Sequence, residues 1–306
     1  IEANFRPLTP EKIKILKQYG INRLSIGVQS FNDEELAILG RIHNSNDIHT
    51  SFELARKEGF SNINIDLIFA LPGQSFASWR KNLHLAAKLK PTHISTYNLQ
   101  IEENTLFYKL FAGALNLPIS QNLIANLPDN DMEYKMYKFT VDFLKSKGYI
   151  HYEISNFALP GFECKHNINY WKNGEYIGIG LSAVSHLNGQ RFENTRNFGE
   201  YLNIFSNQHC TTSSWQNKLS MHTSNKYLCT QSQYTEIAET ILMGLRLIKG
   251  IDLIEFKNKF KFSLLDRYKN QINELLDLGL IDISGNRLKL SKKGLFLANE
   301  VFERFV

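Results

Sequence analysis

The densest group of side chains that could do chemistry is the segment Cys164-Lys165-His166-Asn167-Ile168-Asn169-Tyr170-Trp171. His166, Asn167 and Tyr170 bring an imidazole, an amide and a phenol close together, and Trp171 adds a flat apolar surface. Imidazole, thiolate and phenolate groups all serve as axial ligands of haem iron. A structural zinc site needs four ligands at recognisable spacing, which this segment does not supply. A single histidine is more often structural, so the residues alone leave iron ligation by His166 and a hydrogen-bonding role open.

A second set of candidates lies at or near the ends of predicted strands: Glu2, Gln29, Asp66 and Gln100. Active sites of parallel α/β barrels form where strands end and loops begin. Asp66 stands out because Ile65 and Leu67 beside it are apolar, and a buried carboxylate needs a partner or a ligand. A ligand contact and a structural carboxylate that accepts backbone N–H groups are equally open for Asp66.

Arg41 follows Gly40 at a predicted helix end, within Leu39-Gly40-Arg41-Ile42-His43. Its guanidinium could hold a ligand carboxylate through two parallel hydrogen bonds. An ordinary surface arginine is the alternative.

The run Gly178-Ile179-Gly180-Leu181-Ser182-Ala183 fits the G-x-G-x-x-G/A pattern of dinucleotide-binding loops. That pattern requires a strand before it and a helix after it, and Gly189 interrupts such a helix early. We therefore expect these glycines to allow a close backbone approach or a tight turn instead.

The elements that must position these residues alternate between strand and helix over the first hundred residues. Strands are predicted near residue 1 and over 22–29, 62–70 and 92–99, with helices over 10–19, 47–58 and 76–89. This alternation predicts a parallel α/β sheet or barrel, with Gly20 and Gly59 at helix C-termini. Beyond residue 101 we expect a loop-rich insertion over 104–128, a helix over 129–147 and a strand over 149–158.

A second domain is predicted from about residue 230, which divides the chain into 1–230 and 231–306. Its predicted helices cover 236–247, 252–260, 265–278 and 292–305, and a hairpin joins 280–284 to 287–290. Helices followed by a hairpin resemble a winged helix. Acidic residues such as Asp282 are interleaved with the lysines, so an accessory packing domain is favoured over DNA binding.

Composition narrows the class of protein further. The chain has 306 residues, of which 43% are hydrophobic, and a formal net charge of +5. These values exclude disordered and fibrous proteins, and no run approaches the roughly 18 apolar residues of a membrane span. The three cysteines predict no disulfide framework and indicate a reducing, cytoplasmic location. The first residue is Ile1, and Ile1-Glu2-Ala3-Asn4 reads as the tail of a β-strand whose start is absent, so we expect an N-terminal portion to be missing.

Five motifs occur in the same order as in the radical S-adenosylmethionine (SAM) haem chaperones of the HemW type. The motifs are Gly27-Val28-Gln29-Ser30-Phe31, Leu39-Gly40-Arg41-Ile42-His43, Asn64-Ile65-Asp66-Leu67-Ile68 with Leu71-Pro72-Gly73-Gln74, Tyr152-Glu153-Ile154-Ser155-Asn156-Phe157-Ala158, and the segment from Cys164 to Trp171. Gly244-Leu245-Arg246 and the closing hairpin and helix extend the match. The chain therefore resembles this family over nearly its whole length.

The resemblance implies a partial (β/α)6 radical-SAM barrel lacking its first strands, followed by a small C-terminal helical, winged-helix-like domain. Carried over by position, it assigns SAM contacts to Glu2, Gln29, Arg41 and Asp66, and haem binding to His166, Asn167 and Tyr170. The iron ligand is then His166 or Tyr170. It also implies that Trp171 and Phe157 pack against the macrocycle.

One departure from the family concerns the [4Fe–4S] cluster. The family holds this cluster with a Cys-x3-Cys-x2-Cys loop after its first strand, and iron–sulfur clusters need such thiolates. Cys164, Cys210 and Cys229 do not have that spacing. We expect the cluster in the full-length protein only, and no radical chemistry from the chain as given.

The resemblance favours a haem chaperone that binds haem and transfers it to acceptor proteins such as respiratory enzymes. The alternative is an oxygen-independent coproporphyrinogen III oxidase of porphyrin biosynthesis, in which a SAM-derived radical abstracts hydrogen from propionate side chains. A non-functional remnant of either protein is a third reading. No nucleic-acid partner and no transmembrane segment are expected, whereas peripheral membrane association and a homodimer are left open.

Overall fold

The computed structural model describes residues 1–3, 9–103, 105–111, 127–206, 228–229 and 233–306. These residues form two compact units, an N-terminal unit (Ile1–Glu163) and a C-terminal unit (Cys164–Val306). The predicted domain boundary between residues 230 and 231 lies outside the described residues and stays a prediction.

The N-terminal unit contains a six-stranded sheet in the order β1-β2-β3-β4-β6-β5. The strands are β1 (Glu2–Ala3), β2 (Arg23–Gln29), β3 (Asn62–Phe69), β4 (His93–Asn98), β5 (Ile150–Glu153) and β6 (Asn156–Ala158). Strands β1 to β4 are parallel, as predicted. The single strand expected over 149–158 is instead a hairpin, because the chain turns at Ile154 and Ser155, and β6 therefore runs antiparallel to β4.

The helices of this unit are α1 (Pro10–Gln18), α2 (Asp33–Ile38), α3 (Ser45–Lys57), α4 (Phe76–Lys88), α5 (Leu106–Phe111) and α6 (Asn130–Ser146), and the sequence predicts all of them except α5. Helix α5 corrects part of the predicted loop over 104–128, of which residues 104 and 112–126 lie outside the described residues. Most of these helices begin at a side chain that accepts a backbone N–H, for example Ser75 before α4 and Asp129 before α6. Such caps satisfy donors that the first helical turn leaves unpaired.

The core of this unit lies between one face of the sheet and the helices. Leu24, Ile26 and Val28 of β2 alternate with less buried residues and have at most 1% of their surface exposed. Trp79 of α4 is fully buried, and its indole Nε1 donates to Thr140 Oγ1 of α6 at 2.9 Å. Because successive strand side chains point to opposite faces, the apolar residues leave the other face of the sheet to polar side chains.

The C-terminal unit begins with α7 (Lys165–Trp171) and continues with β7 (Val184–Leu187), β8 (Gln190–Glu193), α8 (Phe198–Ser206), β9 (Leu228–Cys229) and α9 (Gln233–Arg246). Its last part contains β10 (Ile251–Asp252), α10 (Leu253–Phe260), α11 (Leu264–Arg267), α12 (Lys269–Asp277), β11 (Ile281–Ser284), β12 (Arg287–Leu290), α13 (Lys292–Phe296), α14 (Ala298–Phe302) and a 3-10 turn (Glu303–Phe305).

The predicted hairpin of this unit is confirmed, and β10 adds a third strand in the order β10-β12-β11. Strand β10 has only two residues, too few for an alternating pattern to show. The helices predicted over 265–278 and 292–305 are each divided, the first at Tyr268 and the second at Leu297. The winged-helix-like architecture is nevertheless the one that the sequence predicts.

Candidate functional site

Asp66 lies in the middle of β3, in a group of polar side chains from neighbouring strands. Ser25 Oγ donates to its Oδ2 at 3.0 Å, and Asn64 Nδ2 donates to its Oδ1 at 2.9 Å. Within the described residues, the carboxylate takes its hydrogen-bond donors from side chains, whereas the structural alternative considered for it was a carboxylate that accepts backbone N–H groups. Asp66 is half-buried, so its carboxylate is within reach of a ligand.

His93 of β4 holds this polar group in place. Its Nδ1 lies 2.6 Å from Asn64 Oδ1, and its Nε2 lies 2.7 Å from the Tyr152 hydroxyl. Asn64 uses its NH2 as a donor to Ser25 and Asp66, so its oxygen accepts and the proton of His93 is assigned to Nδ1. Burial, with a smaller contribution from the positive charge of Arg23, lowers the pKa of His93 to about 3, and the ring is neutral.

Sequence reasoning missed His93, because a histidine at the start of a strand carries no pattern of its own.

Glu2 lies on the same face of the sheet as Asp66. The register pairs Glu2 with Ser25, and Ser25 with Asn64, which stands two residues before Asp66. Residues paired across parallel strands, and residues two apart in one strand, point to the same face. The structure therefore places two of the predicted SAM residues on one polar face, with Glu2 exposed.

Gln29, the last residue of β2, has a backbone conformation that non-glycine residues rarely adopt. Its φ is +64°, and the register between β2 and β3 shifts between Ile26 and Gln29. The carbonyl of Val28 accepts from the backbone N–H of Ser30 at 2.8 Å and lies 3.2 Å from His43 Nε2. Left-handed non-glycine residues cost about 1–3 kcal/mol and concentrate at functional sites. The end of β2 is therefore a strained position that its neighbours hold in place.

Replacing Gln29 with glycine should raise the free energy of unfolding by about 1 kcal/mol, because the relief of strain exceeds the greater flexibility of glycine in the unfolded chain. Ala70, which follows β3 with a φ of +59°, provides a matched control. Ala70→Gly should stabilise by a similar amount in urea unfolding, whereas only Gln29→Gly should weaken SAM binding. A destabilised Gln29→Gly variant would show that the side chain serves packing and that the strain is small.

The loops after β2 and β3 meet at the buried carboxylate of Glu35, which has 3% of its surface exposed. Its Oε2 accepts from Ser30 Oγ at 2.5 Å and from Gln74 Nε2 and Asn82 Nδ2 at 2.9 Å. Its Oε1 accepts from Ser78 Oγ at 2.5 Å. One carboxylate thus joins α2, the loops after β2 and β3, and α4. Sequence reasoning passed over Glu35, because Asp33-Glu34-Glu35 reads as an ordinary acidic first turn.

Arg41 follows the end of α2, as predicted, after Gly40 with a φ of +64°. Its side chain is exposed and forms no ion pair with any carboxylate in the part of the chain that the structure describes. His43, two residues later, is buried against Val28, and burial lowers its pKa. The segment thus contributes a structural histidine, and the contact of Arg41 with SAM stays a prediction.

In the C-terminal unit, helix α7 carries His166 and Tyr170 on one face. The two residues are four apart, and their ring centroids lie 4.6 Å apart in an edge-to-face arrangement at 83°. His166 is exposed and Tyr170 is half-buried. Tyr176 continues the row, with its ring centroid 4.4 Å from that of Tyr170. An imidazole that is open to solvent therefore stands at the end of an aromatic row.

The aromatic row rests on Arg191 of β8. Its Nη1 donates to the Tyr176 hydroxyl at 2.8 Å, and its Nη2 forms an ion pair with Glu239 of α9 at 2.8 Å. Burial and the neighbouring Tyr176 raise the pKa of Tyr170, and the charge of Arg191 opposes this shift only in part. The Tyr170 phenol therefore keeps its proton at neutral pH in the chain without a ligand.

Asn167 and Trp171 are also four residues apart and occupy the neighbouring stripe of the same helix. The indole of Trp171 is half-buried, and the guanidinium of Arg246 covers its ring. Phe157, by contrast, is completely buried in the N-terminal unit, stacked on His151. The expectation that Phe157 packs against a porphyrin is therefore wrong, because strand pairing places its ring inside the core.

The expectation for the glycine-rich run from Gly178 to Ala183 is confirmed. A Cβ on Gly178 would lie 2.3 Å from the carbonyl oxygen of Val184, so the two chain segments approach each other as only glycine allows. Strand β7, and not a helix, follows the run. The dinucleotide-binding interpretation thus lacks the helix N-terminus that it needs.

Neither unit has a cluster of metal ligands among its described residues: no three His, Cys, Asp or Glu side chains gather there. Cys164 stands at the N-terminus of α7, while Cys210 and the side chain of Cys229 lie outside the described residues. The cysteines of this chain do not fit a [4Fe–4S] cluster, because their spacing in the sequence does not form the three-thiolate loop. None of the helices described is both long and apolar enough to span a bilayer.

The fold agrees with the comparisons to known families. The radical SAM superfamily matches residues 1–86, and the HemN C-terminal domain matches residues 231–297. Coproporphyrinogen III oxidase (HemN) from Escherichia coli, described as a radical SAM enzyme, superimposes with a TM-score of 0.74. The match covers 100% of this chain and 68% of that one at 22% identity, and it confirms the α/β radical-SAM fold with its C-terminal domain.

Curated relatives match the chain over its whole length. Heme chaperone HemW of Lactococcus lactis subsp. lactis (strain IL1403) is 37% identical over 306 residues, which cover 74% of that protein. Heme chaperone HemW of Bacillus subtilis (strain 168) is 36% identical, with 75% of its length covered. The chain thus belongs to the radical SAM superfamily. Within it, the chain belongs to the HemW family of haem chaperones.

Proposed function

We propose that this chain binds haem at α7 and passes it to acceptor proteins. The observation that carries this proposal is the exposed imidazole of His166, held edge-to-face by Tyr170 at the end of an aromatic row. Membership of the HemW family supports haem as the cargo.

The geometry of α7 suits a ligand that must be released again. The imidazole of His166 supplies a nitrogen to the iron from an exposed helix face, so haem can leave without unfolding of a core. Tyr170 limits the rotation of that imidazole through ring contact, and the hydrogen bond from Arg191 to Tyr176 supports the row from behind. Asn167 lies on the adjacent stripe, where its amide can serve as a polar contact at the edge of the porphyrin.

A haemin titration followed at the Soret band tests this proposal. His166→Ala should raise the Kd for haemin about tenfold or more, because we expect the loss of an iron ligand to reduce the free energy of binding by at least about 1.4 kcal/mol. Tyr170→Phe, which keeps the ring, should change the Kd by no more than about threefold. His84→Ala, at an exposed histidine of α4, serves as the matched control. A His166→Ala variant with the affinity and spectrum of the wild type would contradict the proposal.

We further propose that the polar face of the sheet holds SAM. Asp66 and Glu2 lie on that face, Gln29 ends the strand between theirs, and Arg41 follows the next helix. Carboxylates complement the ammonium and the ribose hydroxyls of SAM, and a guanidinium complements its carboxylate. For a haem chaperone, the proposed role of SAM, together with the cluster of the full-length protein, is regulation or assembly.

Calorimetric titration with SAM tests this assignment. Asp66→Asn should weaken binding about tenfold, as expected when a charge-assisted hydrogen bond is lost. Asp142→Asn, at an exposed aspartate of α6, should leave the affinity unchanged. Equal affinities for the two variants would remove Asp66 from the site.

The oxidase alternative rests on likeness of fold to one enzyme at 22% identity, which does not carry an activity. Respiratory enzymes as acceptors stay a prediction of the family resemblance, and a cytoplasmic location stays a prediction of the cysteine content. Peripheral membrane association and a homodimer stay open. Light scattering of the purified chain, with and without haemin, checks the last of these.

A further inference from the structure

Arg246, the last residue of α9, lies over the indole ring of Trp171, the last residue of α7. The guanidinium carbon is 4.5 Å from the ring centroid. A cation over an indole face is favourable by about 0.5–2 kcal/mol, so this contact orients both side chains. The pair stands beside the proposed haem face, because Trp171 directly follows Tyr170.

Each partner of this pair has a buried N–H group without an acceptor. Trp171 Nε1 and Arg246 Nε are both screened from solvent and form no hydrogen bond within the described residues. A buried donor left unsatisfied costs about 1–3 kcal/mol, and most buried donors in native proteins are paired. Two such donors in one stacked pair indicate that an acceptor beyond the described residues completes the site.

The charge of Arg246 is also uncompensated. Arg246 forms no ion pair with any described carboxylate. The residues that the structure does not describe include no Asp or Glu. Arg191 shows the contrast within the same unit, since Glu239 neutralises it at 2.8 Å. An unpaired guanidinium with N–H groups in one plane matches a carboxylate, which it can bind through two parallel hydrogen bonds.

We propose that Arg246 and Trp171 form a carboxylate subsite that binds a propionate side chain of haem. This inference rests on the proposed function, since it places the carboxylate on a ligand already bound through His166. Haem combines a flat apolar ring with two carboxylates, so a cation next to an aromatic helix face complements both parts. The subsite fixes the rotation of the porphyrin about the iron–imidazole bond.

The test compares haemin with its dimethyl ester, which has the same macrocycle and iron but no carboxylates. Arg246→Gln should raise the Kd for haemin about tenfold, the equivalent of one charge-assisted hydrogen bond, and leave the Kd for the ester unchanged. Trp171→Phe keeps the ring and removes its N–H group, and should affect haemin alone by about threefold. Arg196→Gln, at an exposed arginine of the same unit, is the matched control.

Arg246→Lys guards against a folding defect, because it keeps a cation over Trp171 but not the two-pronged geometry. It should fold as the wild type does and bind haemin with intermediate affinity. Equal losses of affinity for haemin and for the ester in Arg246→Gln would overturn the inference and assign Arg246 a structural role. Unchanged affinity for both ligands would also overturn the inference. The proposed function fails separately, if the wild type binds neither ligand or if His166→Ala leaves binding of the ester unchanged.

Discussion

Replacing Glu35 with alanine should lower the free energy of unfolding of the N-terminal unit by about 3 kcal/mol or more. The carboxylate accepts from four side chains, and its removal leaves the amide groups of Gln74 and Asn82 without that acceptor. Each stranded buried donor costs about 1–3 kcal/mol, whereas the hydroxyls of Ser30 and Ser78 can turn to other acceptors. Urea unfolding followed by circular dichroism measures the loss.

Glu34→Ala is the matched control for this prediction, since Glu34 is the exposed neighbour of Glu35 on the same helix. It should change the free energy of unfolding by less than about 0.5 kcal/mol. Glu35→Gln should fall between the two, because an amide oxygen can still accept from Gln74 and Asn82 while its NH2 donates to Ser78. If Glu35→Ala and Glu34→Ala had the same free energy of unfolding, the Glu35 carboxylate would not hold the loops after β2 and β3 together.

The effect should extend to the end of β2. Ser30, which directly follows Gln29, donates to Glu35. Asn82, which also donates to Glu35, accepts from the backbone N–H of Phe31 at 2.7 Å. Hydrogen exchange should therefore accelerate at the amides of Phe31 and Gln74 in Glu35→Ala before the sheet itself opens. Unchanged exchange at these amides would confine the effect of Glu35 to its own helix.

The second large effect concerns pH and His93. Its pKa of about 3 in the folded chain lies below the ordinary value of about 6.5, so the unfolded chain binds this proton more readily. The contribution of His93 to stability is therefore complete above pH 6.5 and is lost as the pH falls toward 3. The loss amounts to about 1.4 kcal/mol per pH unit, or about 3 kcal/mol by pH 4.5.

His93→Gln should abolish this part of the pH dependence and also lower stability at neutral pH. Tyr152→Phe removes the hydroxyl next to His93 Nε2 but keeps the buried imidazole, so its stability should still fall with pH in parallel with the wild type. Burial also lowers the pKa of His151 to about 4, and that residue adds to the slope in all three proteins. Parallel pH profiles for wild type and His93→Gln between pH 6.5 and 4 would show that His93 titrates normally.

The sequence by itself determined the regular elements and the motifs. Alternating and helical patterns predicted β2, β3, β4 and most helices to within about two residues, because these patterns depend on near neighbours along the chain. The residue types of the segment from Cys164 to Trp171 marked it as a candidate site, whereas the helix that puts His166 and Tyr170 on one face appears only in the structure. The order of the motifs was sufficient to indicate the HemW family.

Only the tertiary structure decided which polar groups are buried and what they bind. Glu34 and Glu35 are the same residue type side by side, and it is the approach of the loop at Gln74 that turns one of them into a buried acceptor. The same holds for Phe157, because strand pairing places its ring in the core. It also holds for Arg246, because no local pattern of the sequence reveals that this residue lacks a carboxylate partner among the described residues. Burial and pairing depend on contacts between residues far apart in the chain. The assembled fold therefore decides which charged side chains are neutralised by a partner and which are not.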